Sequence, residues 1–456
     1  MSGNQYASHD TIVSMSFSHS YNSLIEKLLD IVSSVKGYSV YSEFDDGRHF
    51  RSFVESITKY PVREYKGPLN ESFPGLYAYN FVAQLNDKGL ELRAGSNEWD
   101  KELGAIKAKG ELLERLSTAA PLDIAIEKHF DTSFLVSLCD ESVYAKRILG
   151  FGKVKVPLGE IYYLLRRIQG GYKQQVTTSG AAGHFDYDKA VLGALLELVQ
   201  RDSFIVYWLN TIAPKKIKID HSKLKEGSLL LKTIRDFEKY NLDYYFLDTT
   251  SDLGIPTCVC VLVSDSPTGK RIVLGSASGF NGEDVLASAA MESLVVLNWN
   301  YFSEPLMLPN SYIPFSDARI GRDARLSIYL NDENFKKFEF FISSPEFVTL
   351  ENFTTCNNTL STVSLEDSKN QLSYLKKLFR QKFEENKDYD VLVYEVKNKL
   401  LDLFDYRVVR VMCRALYPLY LNENLADPEH PRLKEFVTAK GLEKEAVLNI
   451  WPHPFP

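Results

Sequence analysis

The sequence has few cysteines, no excess of basic residues and no long hydrophobic run. Five cysteines in 456 residues are too few for a disulfide framework, which indicates a reducing compartment. Lysine and arginine total 53 against 60 aspartates and glutamates, so there is no basic surplus to neutralise nucleic-acid phosphates. No stretch approaches the roughly 18–20 apolar residues that span a bilayer, and the start lacks the pattern of a secretory signal. We therefore expect a cytoplasmic protein that binds neither nucleic acid nor membrane.

Several catalytic signatures are also missing. The chain contains no P-loop G-x-x-x-x-G-K-[ST], no G-x-S-x-G nucleophile elbow and no H-E-x-x-H zinc motif. These absences argue against a P-loop nucleotide site, an enzyme serine nucleophile of the hydrolase type and a zinc protease site. The functional signal has to come from helices that carry charges where apolar residues are expected.

The hydrophobic pattern predicts an α+β fold of mixed sheets with long packed helices, rather than a regular βαβ succession. Apolar residues at helical spacing predict helices at 22–36, 99–118, 186–209, 283–300 and 368–387. Apolar runs predict strands within 75–92 around a turn at Asp87–Gly89, a hairpin around Ser266–Gly269, and strands at 133–138, 215–219, 242–248, 390–396 and 407–413. Residues 302–360 have little pattern. We divide the chain into an N-terminal segment, 1–64, with an amphipathic helix, and a domain at 65–456.

The first charged helix contains the segment KAKGELLERLS. Glu111, Glu114 and Arg115 stand at i, i+3 and i+4 and share one face, which Lys107 joins four residues earlier. Taken alone, this stripe is most typical of a solvent-exposed helix face with surface ion pairs.

The second charged helix follows a loop of small residues, SGAAG at 179–183. Glycines there let backbone N–H groups approach a ligand, and a helix N-terminus favours anions. The helix is apolar around most of its circumference and should be buried, yet Glu197, Gln200 and Arg201 share one face. Buried charges are paired or hold a ligand, so this face is either an internal Glu–Arg pair or part of a binding site.

The third helix has a single carboxylate, since Glu292 is the only charged residue between Asp284 and Glu304. Burying it is costly unless a cation meets it, although a partly exposed glutamate would also fit. The motifs ELLER and ELVQR share one spacing. If these faces converge, several carboxylates meet near two arginines, and hard oxygen ligands beside basic groups suit Mg²⁺ carrying the phosphates of a nucleotide.

These elements together resemble the signatures of YcaO-domain proteins. GELLER is similar to their GExxER element, and TTSGAAGHFDYDKAVLGALLELVQRD to a Ser/Asn-Gly-x-Ala loop with a helix ending ExxERD. The Glu292 helix is similar to their A-x-x-E helix after a GSAS-type turn, and the final PHPFP to the PxPxP terminus of azoline-forming members. The resemblance covers roughly residue 65 to the end and implies a YcaO-type ATP-binding fold.

The resemblance implies ATP and Mg²⁺ as cofactors. The metal would be held by Glu111, Glu114, Glu197 and Gln200. The nucleotide would involve the same four residues with Lys107, Arg115, Ser179, Arg201 and Glu292. The chain departs from the usual pattern at four places: Gln200 replaces a glutamate, Ser179 an asparagine, His184 a glycine, and Val295 and Val296 stand where a glutamine often follows.

The resemblance also implies an activity. A Cys, Ser or Thr side chain of a ribosomal precursor peptide attacks the preceding amide carbonyl, ATP phosphorylates the amide oxygen, and phosphate leaves as a thiazoline or oxazoline forms. Similar proteins work with an E1/ThiF-like partner that presents the leader peptide and in some cases with a flavin-dependent azoline dehydrogenase; we expect a homodimer within a hetero-complex. The alternatives are a YcaO enzyme that forms a thioamide or macrolactamidine, and a non-catalytic scaffold subunit, which Gln200 favours.

The last residues, WPHPFP, alternate three prolines: Pro452, Pro454 and Pro456. Each proline fixes φ near −65° and makes the preceding residue extended, so ordering the segment costs little entropy. Such a stretch is also typical of a ligand for a partner's aromatic groove. The resemblance implies that it folds back to the ATP pocket, where the three prolines are catalytic and the α-carboxylate of Pro456 orders the site or acts as a base.

Overall fold

The computed structural model describes residues 47–68, 76–165, 177–266, 269–300, 305–354 and 367–455. The helix predicted at 22–36 and Pro456 lie outside these ranges. Within them, no helix is long and apolar enough to cross a membrane.

The helices and strands alternate irregularly along the chain. The helices are α1 Gly47–Thr58, α2 Lys101–Ala119, α3 Leu122–Glu127, α4 Thr132–Ser137, α5 Leu158–Ile161, α6 Tyr187–Leu209, α7 Leu229–Lys239, α8 Gly282–Asn300, α9 Arg322–Ile328, α10 Asp332–Phe338, α11 Leu350–Thr354, α12 Ser368–Glu385, α13 Lys399–Leu403 and α14 Pro431–Lys440. The strands are β1 Val62–Pro68, β2 Tyr77–Gln84, β3 Glu91–Glu98, β4 Ser142–Arg147, β5 Lys153–Pro157, β6 Ala181–His184, β7 Lys215–Lys218, β8 Asp243–Asp248, β9 Thr257–Ser266, β10 Gly269–Ser278, β11 Phe347–Thr349, β12 Val391–Val396 and β13 Arg407–Cys413.

The described strands form three sheets, in the orders β1-β2-β3, β10-β9-β8-β7-β11 and β5-β4-β12-β13-β6. The second sheet is mixed because β11 runs parallel to β7, while its other pairs are antiparallel. The strands β3, β10 and β6 each end a sheet, so each has one row of backbone N–H and C=O groups without a strand partner. These free edges position the candidate site. The predicted α+β class with mixed sheets and long helices is confirmed.

Helix α6 lies at the centre, packed against β6 and β13, against β10, and against α12. It begins at its N-cap Asp186, whose side chain accepts a hydrogen bond from the backbone N–H of Lys189 at 3.0 Å. Its first half packs in a cluster with Leu375 and Phe379 of α12, and its second half packs around the buried Trp208. The predicted helix at 186–209 is therefore present and, as expected, largely buried.

A buried ion-pair network fixes the second half of α6. Arg432 of α14 places Nη2 2.8 Å from Asp202 Oδ2 and 2.5 Å from Asp252 Oδ1. Lys382 of α12 lies 3.1 Å from the second oxygen of Asp252. Although burial alone would lower it, the two carboxylates raise the pKa of Arg432 well above its ordinary value. The network thus joins α6, α12 and α14, and it pairs the buried guanidinium with two carboxylates, although Nη1 has no hydrogen-bond partner among the described residues.

One predicted strand is wrong. Residues 133–138 fall in helix α4, Thr132–Ser137, whose N-cap Asp131 accepts a hydrogen bond from the N–H of Phe134 at 2.8 Å. The cap satisfies a free donor of the first turn, and this local gain outweighs the strand preference of the apolar run. The weakly patterned stretch 302–360 contains α9, α10, β11 and α11, which are too short to show a clear period.

The N-terminal described residues share a core with the long helix α2. Phe50 and Val54 of α1 are fully buried in one cluster with Leu112 and Leu116. Strand β1 crosses the predicted division between residues 64 and 65.

Candidate functional site

The glutamates singled out on α2, α6 and α8 are held at the free edges of the three sheets. Each accepts a hydrogen bond from a backbone N–H at or beside a terminal strand. The donors and acceptors are Gly95 and Glu111 at 2.6 Å, Gly183 and Glu114 at 3.0 Å, Gly180 and Glu197 at 2.9 Å, and Ser276 and Glu292 at 2.6 Å. One oxygen of each carboxylate is thereby fixed in direction, and the edge N–H is satisfied.

Two glycines make these approaches possible. A Cβ at Gly275 would lie 2.3 Å from the Ser293 nitrogen and 2.4 Å from the Ala289 oxygen, so only glycine lets α8 pack closely on β10. Gly180 has φ of +81°, and a Cβ there would lie 2.4 Å from the Val411 oxygen. The small-residue loop therefore has a packing role, because it lets helices and sheet edges approach each other closely.

Glu111 and Arg115 form an ion pair beside β3. Arg115 Nη2 lies 2.6 Å from Glu111 Oε1, and its Nη1 donates to the carbonyl oxygen of Arg93 at 2.9 Å. The pair therefore occupies both an N–H and a C=O of the free β3 edge. Lys107, one turn earlier, is about half exposed and pairs with Glu98 at the rim.

The ionised form of Glu114 is disfavoured by its surroundings. Burial raises its pKa to about 8, and the negative charges of Glu197 and Glu111 contribute to the same shift. Carboxylates from α2 and α6 are thus close enough to repel, which a cation would relieve. In the part of the chain that the structure describes, no three His, Cys, Asp or Glu side chains stand close enough to share a metal ion. Mg²⁺ needs only one or two protein carboxylates when phosphates and waters complete its shell, so the donor set fits Mg²⁺ bound together with a nucleotide.

Arg201 connects α6 with α8. Its Nη2 lies 3.5 Å from Glu197 Oε1 and 4.0 Å from Glu292 Oε1. Burial raises the pKa of Glu292, which Arg201 opposes. The Nε and Nη1 atoms of Arg201 are enclosed without a hydrogen-bond partner among the described residues. Buried guanidinium donors with no acceptor fit an anionic ligand.

Gln200 and Ser179 have local partners. The Gln200 side-chain nitrogen donates to the Ser276 carbonyl oxygen at 2.6 Å, which leaves Oε1 as the atom with which it could face a cation. A glutamate could not donate this bond unless it were protonated. The hydrogen bond therefore gives a physical reason for glutamine rather than glutamate at this position. Ser179 is buried, and its Oγ accepts a hydrogen bond from Thr177 Oγ1 at 2.9 Å.

The tail folds back along α6. Trp208 donates from its indole nitrogen to the Trp451 carbonyl oxygen at 3.1 Å, and Tyr329 donates to the Pro452 carbonyl oxygen at 2.5 Å. Pro452 and Pro454 are buried. The ring of Phe455 covers the Arg201 guanidinium, with 4.5 Å between the guanidinium carbon and the ring centroid. The described part of the tail therefore reaches the charged cluster.

His453 is completely buried beside Arg325. Burial and the neighbouring Arg325 charge hold its pKa well below its ordinary value, so the ring is neutral. One ring nitrogen, Nδ1, accepts a hydrogen bond from the Phe455 N–H at 3.2 Å. This imidazole is therefore an internal anchor of the tail and covers no surface.

Sequence analysis missed Arg410 of β13. Its side chain is only 6% exposed, and its residue pairs with Ala181 of β6. The signal was present, because RVVRVMC places one arginine within a run of apolar strand residues. The argument that singled out Glu292 applies equally to this residue.

Residues 141–415 match the sequence profile of the family described as YcaO cyclodehydratase, ATP- and Mg²⁺-binding. That range includes Glu197 and Glu292 and leaves out Glu111 and Glu114. A comparison with curated protein sequences gave no significant match.

Solved structures share the fold at low sequence identity. A heterocyclase in complex with substrate and cofactor is 14% identical with a TM-score of 0.60; the alignment covers 92% of this chain, which spans 57% of that protein. YcaO from Methanopyrus kandleri bound with AMPPCP and Mg²⁺ is 13% identical with a TM-score of 0.57, covering 92% of this chain and 96% of that one. The E. coli microcin synthetase McbBCD complex with pro-MccB17 bound is 14% identical with a TM-score of 0.51, covering 87% and 96%.

Proposed function

Because the chain belongs to the YcaO family, whose members bind ATP and Mg²⁺, we propose that it is an ATP-dependent peptide cyclodehydratase. It would convert Cys, Ser or Thr of a ribosomal precursor peptide to thiazoline or oxazoline. The observation that carries the proposal is the position of Arg201. Its Nε and Nη1 lack an acceptor among the described residues, while its Nη2 lies near two of the edge-held glutamates.

The proposed nucleotide site is built from three helices. The Mg²⁺ ligands would come from among Glu111, Glu114, Glu197 and Gln200, with one or two of the carboxylates on an ion whose shell phosphates and waters complete. The phosphates would be bound by Arg115 and Arg201, and the remaining contacts would come from Lys107, Ser179 and Glu292. The repulsion that raises the pKa of Glu114 supports a cation at this place.

ATP, when bound, supplies the phosphoryl group that turns the peptide amide oxygen into a leaving group. The residues of the chain contribute preorganisation. Backbone N–H groups already orient the glutamates, so little reorganisation is needed as charge develops. Arg201 is held between Glu197 and Glu292, and the Phe455 ring excludes water from one face of its guanidinium. We keep a catalytic role for Pro452, Pro454 and Pro456 as part of the proposal; the contact of Phe455 with Arg201, which brings the tail to the charged cluster, supports it.

The proposed partners follow from the same activity. The chain would act in the cytoplasm on a precursor peptide with a separate E1/ThiF-like protein that presents the leader. A flavin-dependent azoline dehydrogenase would oxidise the products in some pathways, and the chain would form a homodimer within the hetero-complex. The heterocyclase and microcin synthetase structures that share the fold are complexes with substrate or with pro-MccB17, which supports a peptide substrate.

Mass spectrometry of a candidate precursor tests the reaction. With the chain, its partner and Mg²⁺–ATP, each ring formed removes one water from the peptide, and omission of ATP leaves the mass unchanged. Glu197→Gln should abolish the loss, whereas Glu443→Gln, on an exposed residue, should not. Exchange of oxygen for sulfur would instead indicate thioamide formation, and loss of water with an amine-to-backbone crosslink would indicate a macrolactamidine. No ATP-dependent mass change would contradict the proposal.

A scaffold role is the second candidate, and the engaged amide of Gln200 favours it. Titration with Mg²⁺–AMPPCP separates the two. A scaffold without nucleotide would show no binding and no effect of Glu114→Ala on modification by the complex.

A further inference from the structure

Arg410 is a buried cation on β13, the strand next to the edge strand β6 of the candidate site. It lies on β13, on the same face as Val408, which pairs with Gly183. The N–H of Gly183 donates to Glu114, and Arg410 itself pairs with Ala181 in the small-residue segment. This register places Arg410 beside the strand that holds the α2 carboxylate.

The charge of Arg410 is not fully matched by the described residues. Burial lowers its pKa to about 10, although Glu197, Glu114 and Glu160 act in the opposite direction. Its Nε is enclosed without a hydrogen-bond partner among these residues. Arg432 is also buried and its Nη1 also lacks a partner, but it makes direct ion pairs with Asp202 and Asp252, whereas Arg410 makes no such pair with the described residues. A guanidinium that is desolvated and lacks such pairs carries an unmatched charge, which an anionic ligand would stabilise.

Arg410 and Arg201 share an electrostatic neighbour. Glu197 lies 3.5 Å from Arg201 and is the largest of the charges acting on Arg410. Both arginines are therefore within electrostatic reach of one carboxylate, and each has an enclosed donor without an acceptor among the described residues. The carboxylates of the described residues leave a donor of each guanidinium without an acceptor, whereas a polyphosphate offers many oxygens and suits the planar guanidinium fork.

We propose that Arg410 binds phosphate oxygens of the nucleotide and acts with Arg201 as a cofactor-binding residue. The inference rests on the proposed nucleotide site and adds to it a residue from a β-strand, whereas the other arginines of the site lie on helices. Residues from α2, α6, α8 and β13 then surround the triphosphate. Side chains that only filled the core would not require a charged group at this position.

The test compares ligands that differ only in phosphate. AMPPCP and adenosine, each with Mg²⁺, are titrated calorimetrically into the wild-type chain, Arg410→Gln, Arg410→Lys and Arg407→Gln. Loss of hydrogen bonds to a charged group corresponds to roughly a 10- to 100-fold weaker affinity. We expect that loss for AMPPCP in Arg410→Gln, an intermediate affinity in Arg410→Lys, and unchanged adenosine binding in both. Arg407 is the matched control, because it lies on the same strand but is about half exposed.

The possible outcomes distinguish a failure of the inference about Arg410 from a failure of the proposed function. Equal AMPPCP affinity in the wild type and Arg410→Gln would overturn this inference while leaving the nucleotide site in place. An equal loss for AMPPCP and adenosine would show that Arg410 only supports the structure. If Arg410→Gln does not fold, Arg410→Lys decides, and wild-type AMPPCP affinity in that variant overturns the inference. Failure of the wild-type chain itself to bind AMPPCP would contradict the proposed function.

Discussion

The side-chain amide of Gln200 donates a hydrogen bond across 2.6 Å to the carbonyl oxygen of Ser276 and so joins α6 to the free edge of β10. The N–H of Ser276 donates to Glu292. Both backbone groups of one edge residue are thus bound by side chains from two helices. The glutamine is the donor that this arrangement needs, since a carboxylate has none to give.

Gln200→Glu should therefore destabilise the protein. An ionised carboxylate would face the Ser276 carbonyl oxygen, and leaving that acceptor unpaired costs about 1–3 kcal/mol. At lower pH a protonated glutamate can donate, so the deficit should shrink from pH 8 to pH 5. Thermal unfolding measures it, with Gln381→Glu on the exposed face of α12 as control. A stable Gln200→Glu variant with tighter Mg²⁺ binding would show that the side chain is a ligand and not a tether.

Gly275→Ala should separate α8 from β10. The new methyl would meet backbone atoms of Ser293 and Ala289, which cannot rotate away, and overpacking of this kind costs typically about 1–3 kcal/mol. Because Glu292 would move from Ser276, AMPPCP affinity should fall as well. Gly150→Ala is the control, since nothing lies near a Cβ there. A variant with unchanged melting temperature and affinity would refute the close packing of these elements.

Phe455→Leu should weaken nucleotide binding and lower stability together. The variant removes the aromatic ring from Arg201, an interaction worth about 0.5–2 kcal/mol, and reduces the contact with Phe204, whose ring centroid lies 4.8 Å away. Calorimetric titration and thermal unfolding measure the two effects. The same substitution at the exposed Phe151 should change neither. Loss of stability with full nucleotide affinity would mean that the ring serves the core alone.

The contribution of Glu423 to the free energy of unfolding should fall as pH rises from about 4.5 to about 7. Burial raises the pKa of Glu423 from its ordinary 4.5 to about 7, so the folded state binds the proton more tightly than the unfolded state in that window. Glu423→Gln removes this proton linkage, and its stability relative to the wild type should improve from pH 5 to pH 8. Urea unfolding at several pH values measures the difference, with the exposed Glu443→Gln as reference. A constant difference across the range would rule out Glu423 as the titrating group.

Asp202→Asn should be the most destabilising of these changes. It leaves Arg432 buried with a weakened partner, and breaking a buried ion pair costs about 3–5 kcal/mol. The N–H of Tyr417, which donates to Asp202 at 2.8 Å, would retain an acceptor. Asp265→Asn on a highly exposed residue is the control. A melting temperature close to that of the wild type would show that the network contributes specificity rather than stability.

The long elements and the charged faces could be predicted from the sequence. The helix at 186–209 and the strand at 407–413 have enough apolar residues to reveal their periods. The strand at 133–138 was wrong because one capping side chain decided the local structure. Short helices between 302 and 360 gave no period to read.

The partners of the charged residues could not be predicted. The spacing of Glu111, Glu114 and Glu197 showed that they share faces, but sheet order determined that each meets a backbone N–H. Gln200 looked like a missing metal ligand, and only the position of Ser276 revealed a structural role for its amide. Arg410 is the opposite case, because a charged residue within an apolar strand could be recognised from the sequence, as Glu292 was within an apolar helix.

The binding of the glutamates to sheet edges has a consequence for folding. Glu114 and Gly183 are separated by 69 residues, and Gln200 and Ser276 by 76, so the site exists only after all three sheets have assembled around α6. A nucleotide that binds there recognises the completed fold and stabilises it by mass action. Loading with Mg²⁺–ATP would then act as a check on assembly, and a fragment limited to residues 141–415 would lack both Glu114 and the buried Arg432 that the finished structure requires.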